Sequence, residues 1–172
     1  MTPARTALAG ALAATALAAC GTSPAPTTEP APTDRTPTMP STQGPAPGTA
    51  GPGTAIVLTI GDTTVDGQLW DNPAARDLAA RLPLSLTVGD YGAVEKTAPL
   101  EPPLTMDGMP AGDDPRPGEI GWYAPGSVLV LYYGDVGYWN GIARLGTFDD
   151  AGVDLLRSGP SDMTVSLATA TG

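Results

Sequence analysis

The sequence contains no histidine, one cysteine and one phenylalanine among its 172 residues. Without histidine, a Ser-His-Asp arrangement for nucleophilic catalysis cannot be assembled. The lone Cys20 has no partner for an intrachain disulfide, and it lies outside any set that would hold structural zinc. No Gly-x-Ser-x-Gly turn and no glycine-rich phosphate loop are present either. We therefore expect no cofactor and no metal, and hydrolase triads and thiol catalysis are excluded.

Basic residues are also scarce. After residue 53 one Lys and five Arg stand against sixteen carboxylates, and the formal net charge of the chain is -10. Binding to the phosphates of nucleic acid needs clustered Lys and Arg, so a nucleic-acid partner is excluded. The acidity is typical of a soluble, mutually repelling surface outside the cytoplasm.

The first twenty residues have the pattern of a secretory signal. Arg5 precedes an apolar run of thirteen residues at positions 7–19, which is too short to cross ~30 Å of hydrocarbon as a helix. The run ends in Leu17-Ala18-Ala19-Cys20-Gly21, which resembles the bacterial lipoprotein signal. This resemblance implies a cleaved signal at residues 1–19 and a lipidated Cys20 that anchors the protein at the extracytoplasmic face of the cell membrane. The alternative is a plain secretory signal that ends near a cysteine.

Residues 20–53 then read as a tether. The 33 residues from 21 to 53 contain nine Pro, eight Thr and five Gly, and they offer too little apolar surface to offset the entropy of ordering. Prolines at this density favour extended segments of up to ~3.1 Å per residue. The composition suits an O-glycosylated stalk or an unmodified flexible spacer.

Alternating hydrophobicity predicts a β-rich domain over residues 54–172. Two runs separated by Gly61-Asp62 indicate a hairpin. A helix follows, capped by Asp71 or Asn72, with Pro73 in its first turn. Further strands are expected near residues 84–88, 93–100, 119–123, 127–133, 142–148 and 163–167, with a second short helix over residues 150–157. Closing the sheet avoids exposed edges, so the prediction is an all-β, small, closed antiparallel barrel of about eight strands with one or two short helices.

The densest apolar and aromatic segment spans residues 114–145. Within it, residues 127–133 predict a central strand that is buried on both faces. Three sequences in this segment, together with the segments before it, resemble a family of small bacterial proteins with a cyclophilin-like fold: Asp-Pro-Arg-Pro-Gly-Glu-Ile from Asp114, Trp-Tyr-Ala-Pro from Trp122, and Leu-Tyr-Tyr-Gly-Asp from Leu131. The resemblance implies a closed antiparallel barrel with helices over its openings.

The departures from the family's enzymes bear on function. Cyclophilin prolyl isomerases use an arginine beside a pocket of Phe, Met, Gln, Trp and His, whereas this chain has a single phenylalanine, Phe148, and only Arg144 as a candidate arginine. We therefore favour a non-catalytic binding module for a small molecule or peptide. The alternative is an enzyme of the prolyl-isomerase type with a non-standard site.

A ligand site is predicted where two loops meet, residues 101–118 and 134–141. If residues 119–123 and 127–133 pair as a hairpin, both loops lie at one mouth of the barrel, and the cleft between them suits neutral or cationic ligands. The alternative is that the aromatic residues only pack against the core. The candidate ligand-binding residues are Met106, Met109, Asp113, Tyr138, Trp139, Asn140 and Arg144.

The first of these loops is acidic enough to raise the question of calcium. Asp107, Asp113, Asp114 and Glu119 supply carboxylates, but their spacing matches no EF-hand pattern, and Pro115 and Pro117 stiffen the backbone. We therefore interpret the carboxylates as a solvated loop surface and not as a metal site.

Overall fold

The computed structural model describes residues 52–171. The expected lipidation site Cys20, the signal at residues 1–19 and nearly all of the tether lie outside these residues. The strands are β1 (Pro52–Ile60), β2 (Thr63–Trp70), β3 (Leu84–Tyr91), β4 (Glu95–Pro99), β5 (Gly112–Asp113), β6 (Glu119–Tyr123), β7 (Val128–Tyr132), β8 (Trp139–Asn140), β9 (Ile142–Phe148) and β10 (Asp162–Thr169). The helices are α1 (Pro73–Ala79), α2 (Asp150–Ser158) and a 3₁₀ turn at Ala124–Gly126.

Eight of the strands close into a barrel in the order β1-β10-β3-β4-β7-β6-β9-β2, and each neighbouring pair is antiparallel. The two remaining strands, β5 and β8, form a separate two-stranded sheet. Closure leaves no unpaired strand edge in the barrel. The prediction of a closed antiparallel barrel of about eight strands with two short helices is confirmed.

The β1–β2 hairpin shows how the alternating pattern builds the wall. Ile56, Leu58 and Ile60 are buried inside the barrel, and the hairpin turns at Gly61, whose φ of +60° suits glycine. The interior is filled by aliphatic side chains with Trp122 and Phe148. As in other small barrels, the inside is therefore a packed core and not a channel.

Helix α1 begins where the sequence predicts it and is followed by a tight turn. Of the two candidate caps, Asn72 is the one used, because its side chain accepts a hydrogen bond of 2.8 Å from the Ala75 amide. The helix ends at Ala79, and the amide of Leu82 bonds only three residues back to the Ala79 carbonyl. Leu82 therefore belongs to a tightened turn that closes the helix.

Helix α2 packs closely on the barrel. Gly152 allows this approach, because a β-carbon at this position would lie 2.7 Å from Phe148 Cδ2. Val153 and Leu156 from the same face are buried in the core. The helix therefore covers the part of the barrel that contains Phe148.

Strand β7 is buried on both of its faces, as expected. Leu129 and Leu131 belong to the interior core, whereas Val130 and Tyr132 point outward and are still only 1% exposed. The strand begins one residue later than predicted, at Val128, because Ser127 has a left-handed backbone with φ of +50°. An outward face is buried only where something covers it, and in this barrel that cover defines the candidate site.

The barrel interior contains one charged side chain that the sequence pattern did not single out. Lys96 on β4 has no solvent exposure, and its Nζ donates to Asp90 Oδ2 at 3.1 Å, the Pro160 carbonyl at 2.7 Å and the Ser161 carbonyl at 3.1 Å. A lysine ammonium has three donors. All three are used, so the buried charge is satisfied and ties β4 to the segment between α2 and β10.

Within residues 52–171, no helix is both long and apolar enough to cross a membrane.

Candidate ligand groove on the outer wall

A groove of about 570 Å³ lies against the outer wall of the barrel. Its floor is made by outward-facing residues of β4 and β7, which neighbour each other in the barrel. The floor residues are Glu95, Thr97, Val128, Val130 and Tyr132. We call this feature the outer groove.

Two loops and the ends of two strands form the walls of the outer groove. One wall is the β3–β4 turn, with Tyr91, Gly92 and Val94. The opposite wall is a loop of residues 134–141, which we call the covering loop; it contributes Asp135, Val136 and Trp139, and Tyr123 and Ile142 complete the lining.

The covering loop is attached at both of its ends. At its start, the Gly134 amide donates to the Val94 carbonyl at 2.8 Å, and at its end the Gly141 amide donates to the Ala111 carbonyl at 2.7 Å. The Gly141 carbonyl accepts from the Ala124 amide at 2.9 Å. Because Val94 and Ala124 lie near opposite ends of the barrel, the loop runs along the outer wall from one end to the other.

Tyr132 is an almost fully buried residue of the floor. Its ring lies over Gly121 of the neighbouring strand β6, where a β-carbon would come within 2.6 Å of the ring atom Cε2. Glycine at position 121 therefore makes the space that the ring occupies. Burial raises the pKa of the Tyr132 hydroxyl above its ordinary value, and the nearby carboxylates of Glu95 and Glu119 raise it further.

Glu95 lies opposite Tyr132 across the β4–β7 pair. It is partly buried, and desolvation raises the pKa of its carboxyl above the ordinary glutamate value. Among residues 52–171 its side chain has neither an ion pair nor a hydrogen bond. The groove floor thus contains a carboxylate that no described side chain neutralises.

Arg144, the arginine singled out in the sequence, belongs to a separate cluster beside the groove. Its Nε donates to Glu119 Oε2 at 2.6 Å, its Nη2 donates to Glu119 Oε1, and its Nη1 lies 3.7 Å from Asp113 Oδ1. The guanidinium also lies 5.0 Å from the centre of the Trp70 ring. The hydrogen bonds to Glu119 raise the pKa of Arg144 most, while desolvation opposes them.

This cluster is a structural tie between elements. It joins β9 through Arg144 to β6 through Glu119 and to β5 through Asp113. The Arg144 guanidinium is largely buried, and the carboxylates of Glu119 and Asp113 hold it in place. Arg144 does not line the outer groove.

Comparison with known proteins identifies the fold family. The sequence model of the cyclophilin-like family matches residues 58–168, which is more than half of the chain. The chain belongs to the cyclophilin-like family. Comparison with curated proteins finds no match. Among solved structures, the cyclophilin-like domain is similar to the solution structure of the hypothetical protein AF2241 from Archaeoglobus fulgidus, with 14% identity, a TM-score of 0.48, and coverage of 68% of this chain and 95% of that one.

The cyclophilin-like domain distributes the seven predicted ligand-binding residues over three places. Trp139 lines the outer groove, and its neighbours Tyr138 and Asn140 are exposed on the same loop. Met106 and Met109 pack against the core, whereas Asp113 belongs to the Arg144 cluster. Of the predicted set, only Trp139 therefore lines the cavity.

The two loops of the predicted cleft do meet, but along the outer wall and not over one mouth. Strand β5 of the first loop pairs with β8 of the covering loop, with Gly112 opposite Asn140 and Asp113 opposite Trp139. The predicted contact lay beyond the far end of the β6–β7 hairpin. In the structure each loop runs the length of the barrel, so the two loops meet near the hairpin turn, where Gly141 approaches Pro125.

Sequence reasoning missed most of the groove residues. In the sequence, Val94, Glu95 and Thr97 fall within the strand predicted near residues 93–100 and Tyr91 lies just before it, and no local pattern marks them as a site. The signal that could have found them was the pattern of β7: a strand buried on both faces of a closed barrel must be covered from outside. The neighbours of its outward residues on β4 are then expected in the same covered space.

Three of the four acidic residues considered for calcium are engaged by arginines. Glu119 and Asp113 face Arg144, and Asp114 lies 3.3 Å from the Arg116 guanidinium. In the part of the chain that the structure describes, no group of three or more His, Cys, Asp or Glu residues has the arrangement to hold a metal ion.

Proposed function

We propose that this protein is a lipid-anchored, extracytoplasmic binding protein whose cyclophilin-like domain captures a small molecule or short peptide without altering it chemically. The observation that carries the proposal is the outer groove. Its volume of about 570 Å³ lies within the range of about 300–1,000 Å³ that is usual for ligand sites. Its lining is mostly aliphatic and aromatic, with a few polar groups to orient a ligand.

The side chains available in the groove support binding more than catalysis. None of the described lining residues is a His, Cys, Lys or Arg. Nucleophilic catalysis needs a nucleophile within hydrogen-bond reach of a base that activates it. Prolyl isomerisation needs a polar donor aimed at the twisting imide, and Arg144 is committed to Glu119 outside the groove.

The proposed location at the membrane is inferred from the sequence. The lipoprotein signal implies a diacylglycerol group on Cys20. Its two acyl chains would attach the protein stably, whereas one chain would hold it only marginally. Residues 21–53 would then separate the domain from the lipid surface.

A ligand screen by NMR tests the binding function. Small metabolites and short peptides are added to the ¹⁵N-labelled full-length protein, and amide shifts are followed at Val130, Val94 and Trp139. The matched variants are Thr97→Phe, which places a ring on the groove floor, and Thr64→Phe, which places the same ring on an exposed outward position of β2. We expect Thr97→Phe to abolish the shifts and Thr64→Phe to leave them unchanged.

Two results contradict the proposal. One is a screen in which no compound shifts groove amides, or in which Thr97→Phe binds as well as the wild type. The other is acceleration of proline-peptide isomerisation that is lost in Arg144→Ala. The second result would establish the enzyme of prolyl-isomerase type in place of the binding module.

A further inference from the structure

The charged groups that line the outer groove are all of one sign. They are Glu95 on the floor and Asp135 on the covering loop. The cationic side chains near the groove are engaged elsewhere: Arg144 is paired with Glu119, and Lys96 points into the barrel interior. Arg157 on α2 donates to the Tyr133 carbonyl and pairs with Asp154. An anionic ligand would therefore be repelled, and a cation would be attracted into the groove.

Glu95 is the charged residue of the groove floor at which a ligand cation would be held. Its carboxylate is partly buried beside Tyr132, and it has no cationic partner among the described residues. Withdrawing a charge from water is unfavourable unless an opposite charge or a hydrogen-bond donor compensates it. A positive group on a ligand would supply both, and it would be held more strongly there than at the protein surface.

Tyrosine rings flank this position on both neighbouring strands, because Tyr91 of β3 and Tyr132 of β7 each lie directly opposite Glu95. Tyr123 and Trp139 line the groove further along its length. Ring faces attract ammonium groups when the cation lies within about 6 Å of the ring centre. Beside the rings, Val128 and Val130 and their neighbours form an apolar floor for the uncharged part of a ligand.

Building on the function proposed above, we propose that the outer groove binds an organic cation: an amine or quaternary ammonium carried on an apolar body. The positive group lies beside Glu95 among the aromatic rings, and the body packs on Val128 and Val130. Asp135 at the rim adds to the attraction and contributes less than Glu95, because it is exposed to solvent.

Three probes that differ only in their end group test the charge preference. Phenylbutylamine, phenylbutanol and phenylbutyrate are titrated into the full-length protein, and the groove amides are followed by NMR. We expect the amine to bind roughly tenfold or more tightly than the alcohol, since hydrogen bonds to charged groups are the stronger ones. The butyrate should bind more weakly than the alcohol.

Two isosteric variants assign the preference to one carboxylate. Glu95→Gln should remove the advantage of the amine over the alcohol. Asp66→Asn removes one exposed carboxylate from an outward position on β2, away from the groove, and serves as the matched control. It should preserve the preference, which separates a local contact from the overall negative charge.

The pH dependence provides a second readout. An alkylammonium keeps its proton across the acidic range, as lysine does, so we expect the loss of amine binding on acidification to report the protonation of Glu95. Because burial raises the pKa of Glu95, the loss should begin at a higher pH than for an ordinary glutamate. It should persist in Asp135→Asn and disappear in Glu95→Gln.

The outcomes separate this inference from the proposed function. Equal affinity for the amine and the alcohol, or an unchanged preference in Glu95→Gln, would overturn the cation site while leaving a binding groove. If none of the probes and none of the screened compounds shifts the groove amides, the proposed function itself fails. If a peptide of residues 21–51 displaces the amine and binds more tightly, the chain's own proline-rich segment is the occupant, and the cation inference is wrong.

Discussion

Replacing Lys96 by methionine tests the energetics of the buried charge. Methionine is similarly long and unbranched, so it fills the same space without a large cavity. The substitution removes the three donated hydrogen bonds and leaves the Pro160 and Ser161 carbonyls without their donors. Asp90 loses its cation but keeps the hydrogen bond of 2.6 Å from the Tyr133 hydroxyl.

Two known energetic costs set the expected loss of stability in Lys96→Met. Leaving buried polar groups without partners costs about 1–3 kcal/mol each, and breaking a buried ion pair costs about 3–5 kcal/mol. Water can reach Pro160 and Ser161, which are exposed residues, and so it offsets part of the loss. We expect the free energy of unfolding to fall by about 3 kcal/mol, which lowers the Tm of a domain of this size by roughly 10 °C.

Thermal and urea unfolding, followed by circular dichroism on the full-length protein, measure the change. Arg76→Met is the matched control, because it removes a cation from an ion pair with Asp71 in which both side chains are about 60% exposed. Its effect should stay below about 1 kcal/mol. If Lys96→Met is as stable as the wild type or more stable, the cost of withdrawing the ammonium from water exceeds the value of its three hydrogen bonds, and the reasoning is refuted.

Three further predictions address other parts of the chain. The hydrogen bond from Tyr133 lowers the pKa of Asp90 most and Lys96 lowers it further, while burial opposes both. Ionised Asp90 therefore stabilises the fold above the ordinary pKa range of aspartate. This stabilisation is lost as the pH falls through the lowered pKa. Asp90→Asn should therefore melt below the wild type at pH 7, with a gap that narrows under about pH 4; a constant gap contradicts this. Gly121→Ala should lower the free energy of unfolding by about 1–2 kcal/mol in urea titrations, because the added carbon displaces the Tyr132 ring, and an unchanged midpoint would show that the ring has room to move. Cys20→Ser should release the protein from membranes or block its maturation; fractionation with membranes at the wild-type level and size would refute lipidation.

The alternation of apolar and polar residues in the sequence predicts much of the barrel. Ile56, Leu58 and Ile60 alternate with polar residues because one face of the strand is inside a packed core and the other is outside. Gly61 marks the turn between the first two strands because its φ is positive. Such local signals fix strands and turns, and antiparallel closure follows from the need to avoid open edges.

The burial of Lys96 was not predictable from residue type, since lysine is rarely fully buried without a partner. Alternation along β4 does place Lys96 on the same face as Ala98, which is in the core. The acceptors that permit burial come from Pro160 and Ser161, more than sixty residues away in the chain. Pairing over such a distance leaves no local signal.

The candidate groove was predictable only in part, for a related reason. Trp139 is a large aromatic residue between Gly137 and Gly141, and such a residue in a glycine-flanked loop indicates that it covers part of the fold. What it covers depends on the path of residues 134–141, which is set by backbone hydrogen bonds to Val94 and Ala111 and not by side-chain pattern. Glu95 gives no such signal, because a carboxylate on a predicted strand indicates a solvent-facing residue unless the cover over the strand is known.

The burial of Lys96 also has a consequence for chemical labelling. It is the only lysine in the sequence, and its side chain has no solvent exposure. An amine-reactive reagent can acylate it only when the barrel opens, so the rate of modification at this one position measures how often the domain opens. Reagents that attach dyes, surfaces or cross-links through lysine will thus find no target on the closed barrel, and a modified Lys96 marks a molecule that has been unfolded.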